Sequence, residues 1–179
     1  MNPLHTLKRR LVAFLLAPMI FAARLIALYA ERKLLFHVAF SDYLENKLID
    51  LILRGQAFSA PANTYIALFT AAPNDAGGGT EVSGGNYARQ QVASSLANWA
   101  GTHGAGTTTA SSGTGGVTSN NNAISWGTVT WSGTVTHWGI FDALTGGNLL
   151  IHAALTASQA VSNGNTVQFA AGSLQTTVA

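Results

Sequence analysis

Apolar residues recur along this chain in two rhythms, one helical and one of strands. Between Asp42 and Gly55, Leu44, Leu48, Leu51 and Ile52 fall at i, i+4, i+7 and i+8, which places them on one face of a helix. Asp42 can cap this helix with Glu45, three residues on, completing a capping box, and Gly55 ends it just after Arg54. Ile49 and Leu53 widen the apolar face beyond one stripe. Two readings follow: a helix packed on the domain's own sheet, or a seam between copies built on Leu44, Leu48, Leu51 and Ile52.

From Thr64 onward the rhythm shortens to that of strands. Thr64 to Thr70 is apolar at nearly every position, as in a strand buried on both faces. After a Gly-rich loop from Ala71 to Gly85, a strand is expected over Tyr87 to Leu96. Thr134 to Asp142, the turn Ala143 to Gly147, and Asn148 to Ala154 read as a hairpin whose Gly146-Gly147 pair supplies the positive backbone angles of the reversal. This hairpin is expected at the centre, with Gly139 marking a bulge or a close approach of another backbone. Thr166 to Phe169 and Gln175 to Val178 supply the last strands. The expected fold is mainly β: one antiparallel β-sandwich-like domain with a single N-terminal amphipathic helix, preceded by a helical hydrophobic extension.

That extension, residues 1–37, is set apart by composition. It joins a basic cluster, Lys8-Arg9-Arg10, to apolar runs Leu11 to Ala23 and Leu25 to Ala30, with Arg24 between them. The first run has the length of a signal-peptide core, and joining the two would place Arg24 inside a bilayer. The segment reads as a membrane-surface or signal-like helix, as a helix that packs on a partner protein, or as upstream sequence preceding a natural start at Val38. A membrane partner is expected only if the segment belongs to the natural product. The second unit, 38–179, contains a Gly/Thr/Ser-rich stretch, 101–122, too poor in apolar residues to fold alone, and an extended surface loop or loose hairpin is expected there.

Charge changes the picture of possible partners. Residues 1–40 hold six basic residues against one acidic, and the remainder three basic against six acidic. The basic balance of the whole chain therefore belongs to its start, and the domain offers no patch for nucleic acid. Charged residues are 9% of the chain, well below the roughly 25% of an average soluble protein, and the neutral, hydroxyl-rich composition suits subunits that assemble side by side.

Candidate chemistry is sparse. Without cysteine, thiolate sites and disulfides are excluded. The five histidines, His5, His37, His103, His137 and His152, lack metal-site spacing. Gly77-Gly78-Gly79-Thr80 lacks the Lys of a phosphate loop. No nucleophile-elbow pattern occurs, so no catalytic residue, cofactor or metal is assigned. Glu81 and Asp142 would suggest glycoside cleavage only if they lined one cleft. Arg89 is expected to form a structural salt bridge with Glu81 or Asp142. Trp126, Trp131 and Trp138 lie within thirteen residues and form either an aromatic core or a stacking platform for a host surface glycan.

Phe40-Ser41-Asp42-Tyr43-Leu44-Glu45, Tyr65-Ile66-Ala67-Leu68-Phe69-Thr70, Gly79 to Arg89, and Trp138-Gly139-Ile140-Phe141-Asp142 with Gly146 to Leu150 together resemble a family of small tailed-bacteriophage structural proteins commonly labelled tail fibre proteins. The likeness runs from residue 40 to Leu174. It implies a non-enzymatic virion protein in a tail fibre or related appendage, in contact with other virion proteins and forming homo-oligomers, with a trimer as the natural guess. Within the same class stands a capsid decoration protein clamping neighbouring capsomers. A carbohydrate-binding module is the more distant alternative.

Overall fold

The computed structural model describes residues 38–104, 106–113 and 116–177. The chain divides between residues 37 and 38, and the extension expected over 1–37 lies outside the described residues.

A short strand β1 (Ala39–Phe40) leads into helix α1 (Asp42–Leu53). The cap is Ser41 rather than Asp42: its Oγ accepts from the Leu44 N–H at 3.3 Å and also donates to the Leu149 carbonyl. With Ser41 as cap, Leu44 takes the third helical position, so the capping box expected from Asp42 and Glu45 does not form. Gly55, at φ 65°, ends the helix, and the Gln56 N–H turns back to the Asp50 carbonyl at 2.9 Å.

The strands are β2 (Asn63–Ala71), β3 (Thr80–Glu81), β4 (Gln90–Ala93), β5 (Val117–Ser119), β6 (Ile124–Thr128), β7 (Gly133–Phe141), β8 (Leu149–Val161), β9 (Thr166–Phe169) and β10 (Gln175–Thr177). Six of them form an antiparallel sheet in the order β1-β8-β7-β2-β3, with β4 also paired to β2; β5–β10 and β6–β9 are antiparallel ribbons. The β7–β8 hairpin is central, as its sequence suggests, and Gly146 and Gly147 turn it at φ 60° and 70°.

Register explains why β2 is apolar throughout. Ile66 lies opposite Ile140 and Leu68 opposite Trp138, and these four belong to the main core with Ile124 and Trp126 of β6, Val129, Trp131 and Leu174. The alternate positions, Ala67 and Phe69, join Phe141 and Leu149 in a second cluster on the other face. Gly139 stands in regular pairing between Ala67 and His152. It is neither a bulge nor a backbone approach: a Cβ there would meet Leu149 Cδ1 at 2.9 Å and Phe69 Cε2 at 3.0 Å, so the space belongs to side chains of the second cluster.

The Gly/Thr/Ser-rich stretch is largely irregular, but its end forms β5, which pairs with β10. Beside it Asn120 is fully buried. Its Nδ2 donates to the carbonyls of Asn122 and Ala170, each at 2.8 Å, and its Oδ1 accepts from the Leu174 N–H at 2.8 Å. One amide thereby satisfies three backbone groups where the chain turns into β10.

Candidate functional site

The densest polar cluster lies where the loop after β3 meets the β7–β8 turn. Arg89 forms a fork on Glu81, Nε to Oε1 at 2.9 Å and Nη2 to Oε2 at 2.8 Å. Its Nη1 donates to the turn carbonyls of Ala143 and Gly146 at 2.9 and 2.7 Å. The Tyr87 hydroxyl donates to Glu81 Oε1 at 3.0 Å and accepts from the Leu68 N–H at 2.9 Å. Burial, aided by the nearby Glu81 carboxylate, holds the Tyr87 phenol well above its ordinary pKa. The cluster thus ties two loops to the middle of β2.

Of the two partners expected for Arg89, the structure selects Glu81. Asp142 instead accepts from the Asn148 N–H at 2.7 Å and the Asn148 side-chain amide at 2.8 Å, closing the turn from within. Each carboxylate is engaged by its own neighbours, and this arrangement does not present them as an acid–base pair.

The tryptophans are core residues. Trp126, Trp131 and Trp138 are exposed by only 8%, 5% and 5%, so a glycan cannot lie on their faces. Trp126 packs edge-on to Phe169 and donates to the Ala88 carbonyl at 2.9 Å, and Trp131 packs edge-on to Tyr87. The stacking platform fails because all three indoles belong to the main core cluster with Ile66, Leu68 and Val129. Among the histidines, His152 meets Asp75 at 3.1 Å. His137 bonds to the Thr136 hydroxyl at 2.8 Å, and burial together with nearby His152 lowers its pKa. Among the described residues no group of three His, Asp or Glu is placed to hold a metal ion, and no helix is long and apolar enough to cross a membrane.

Most of the exposed large apolar side chains among the described residues lie on α1. Tyr43 and Leu44 pack against the main core and Leu48 is half-buried, so the part of the expected seam formed by Leu44 and Leu48 turns inward. Leu51 and Ile52 stay exposed, joined by Ile49 and Leu53. Sequence periodicity found the helix but not its orientation, because apolar residues occupy more than half of its circumference. Asn120 and the Tyr87 hydroxyl were missed altogether; an Asn among Ser, Thr and Asn carries no signal of burial.

Fold and surface define a small antiparallel β domain whose polar clusters tie loops to the sheet, as in a structural protein. The family model described as Podophage GP4 fiber I protein gp80 matches residues 39–177. The chain belongs to that family: it is a bacteriophage structural protein of the tail-fibre type, and its place is the virion. No curated protein matches the chain.

Proposed function

We propose that residues 38–179 form a non-enzymatic, repeating subunit of a tail fibre or related appendage, in contact with its own copies and with other virion proteins. The family match across 39–177 carries this reading. Two features of the chain support it. Its Arg89–Glu81–Tyr87 cluster braces loops instead of presenting reactive groups, and four of the six exposed large hydrophobic residues among the described residues gather on one helix, as suits a subunit with fixed neighbours.

Quantitative mass spectrometry of purified virions tests the proposal. Peptides from 38–179 are expected in stoichiometry with the tail-appendage proteins. A copy number following the capsid lattice would transfer the protein to capsid decoration, and absence from particles would overturn both readings.

A further inference from the structure

We infer that the loop joining β2 to β3 is an acid-released strap, drawn across the sheet over two histidines, His137 and His152, that cannot both carry charge beneath it.

Register puts the two on one face. Gly139 of β7 lies opposite Ala67 of β2 and opposite His152 of β8, and His137 lies opposite Phe69. Residues paired across strands share a face, as do residues two apart along one strand. Both imidazoles therefore stand with Ala67 and Phe69 on the face of the second cluster. They are diagonal neighbours there, because His137 pairs with Ala154, two residues past His152.

The loop leaves β2 at Ala71 and returns at Thr80 of β3, both on the far side of β7 from β8. Between these points Pro73 is buried and Asp75 reaches β8. Its Oδ1 lies 3.1 Å from His152 Nε2, and its carbonyl accepts from the Asp42 N–H, at the start of α1, at 2.9 Å. Since β7 stands between β2 and β8, the loop crosses over it.

The groups around His152, itself 8% exposed, balance one imidazolium and not two. The loop supplies Asp75, β1 supplies only Ala39 opposite the ring, and α1 supplies Asp42, whose exposed carboxylate is screened by water. Glu81 of β3 lies opposite Phe69 on this face, but its carboxylate is already paired with Arg89. From β7 comes half-buried His137, of like charge when protonated. Burial and, after it, nearby His152 lower the His137 pKa, in keeping with this count. With a folded pKa below the ordinary 6.5, His137 supports the closed strap fully above pH 6.5, and that support is lost as the pH falls below it. Opening lets water reach both rings and relieves the repulsion.

Amide hydrogen exchange in the full chain tests the strap. The Asp42 amide, bonded to Asp75, reports its closure. Between about pH 7.5 and about pH 5 its protection, corrected for the intrinsic rate, should fall roughly two- to fivefold, the effect of a partly exposed charge pair, while the Leu68 amide in the middle of β2 keeps its protection. His137→Gln should abolish the fall, and Asp75→Asn, which removes the one balancing carboxylate, should enlarge it. Protection that rises in acid would mean that the Asp75–His152 pair tightens the strap, and would overturn the inference. So would a fall that His137→Gln leaves intact, a fall that Asp75→Asn fails to enlarge, or one that the Leu68 amide shares, which would belong to the domain as a whole.

Discussion

The Arg89 guanidinium carbon lies 3.4 Å from the centroid of the Phe141 ring, so a single side chain reaches the second apolar cluster, the Glu81 carboxylate and the β7–β8 turn. Its side chain is 8% exposed, and that of Glu81 27%. A charge this deep is stable only because each face of the guanidinium fork has a partner.

Replacing Arg89 by Met should therefore cost about 3 kcal/mol, the lower end for breaking a buried pair, because Glu81 retains some access to water. Lys should recover no more than about half of the loss, since an ammonium cannot hold a bidentate carboxylate and two turn carbonyls together. Urea unfolding of both variants at an unchanged m-value provides the measurement. A loss below about 1 kcal/mol for Arg89→Met would mean the pair is no stronger than a surface ion pair.

Tyr87 gives the fold a dependence on alkaline pH. Its folded pKa is raised from the ordinary 10.0, chiefly by burial, so the folded state holds the phenolic proton more tightly than the unfolded chain. The resulting stability is complete below pH 10 and is lost as the pH rises above it toward the folded value. Tyr87→Phe should flatten that alkaline limb. At neutral pH it should cost about 1–2 kcal/mol, because the Leu68 N–H loses its acceptor. Denaturant midpoints at pH 7 and about pH 11 separate the two effects; an unchanged alkaline slope in the Phe variant would assign the titration to other groups.

These clusters mark how far the sequence could be read. Thr166–Phe169 and the central hairpin were legible because short runs rich in β-branched and aromatic residues, set off by the turn glycines Gly164 and Gly146-Gly147, encode them locally. β4 is shorter than the expected Tyr87 to Leu96, since Tyr87 and Arg89 serve the cross-link on an irregular segment before Gln90. The true cap, Ser41, is fixed by the Leu149 carbonyl 108 residues away, a contact that no local pattern contains. The same limit applies to α1: its periodicity was plain, but which apolar residues faced inward depended on where β8 and β1 lay.

Gly139 tests how tightly the second cluster is packed. Alanine would remove a flexible residue from a strand interior, a gain of about 0.5–1 kcal/mol. Its Cβ, however, would press on Leu149 and Phe69, and overpacking costs about 1–3 kcal/mol. Both obstacles are ends of side chains rather than backbone, so the net result should be a modest loss of about 1 kcal/mol. Leu149→Val should cost less in the Gly139→Ala background than alone, and strict additivity in the double-mutant cycle would show that the cluster has slack at this position.

Asn120 provides the sharpest contrast between composition and structure, because it sits in the stretch least expected to contain a core. Alanine would leave the Leu174 N–H and the Asn122 and Ala170 carbonyls without the partners they now have. Each buried group left unpaired costs about 1–3 kcal/mol, and partial relaxation should bring the total to about 3 kcal/mol. Aspartate separates the two halves of the interaction: it keeps the acceptor for Leu174 but cannot donate to the two carbonyls, and it places a charge at a fully buried site. It should therefore be at least as damaging as alanine, although it is nearly the same shape. If instead the aspartate variant unfolds at the wild-type urea midpoint, water must reach this site, and β10 is held by its pairing to β5 rather than by the amide.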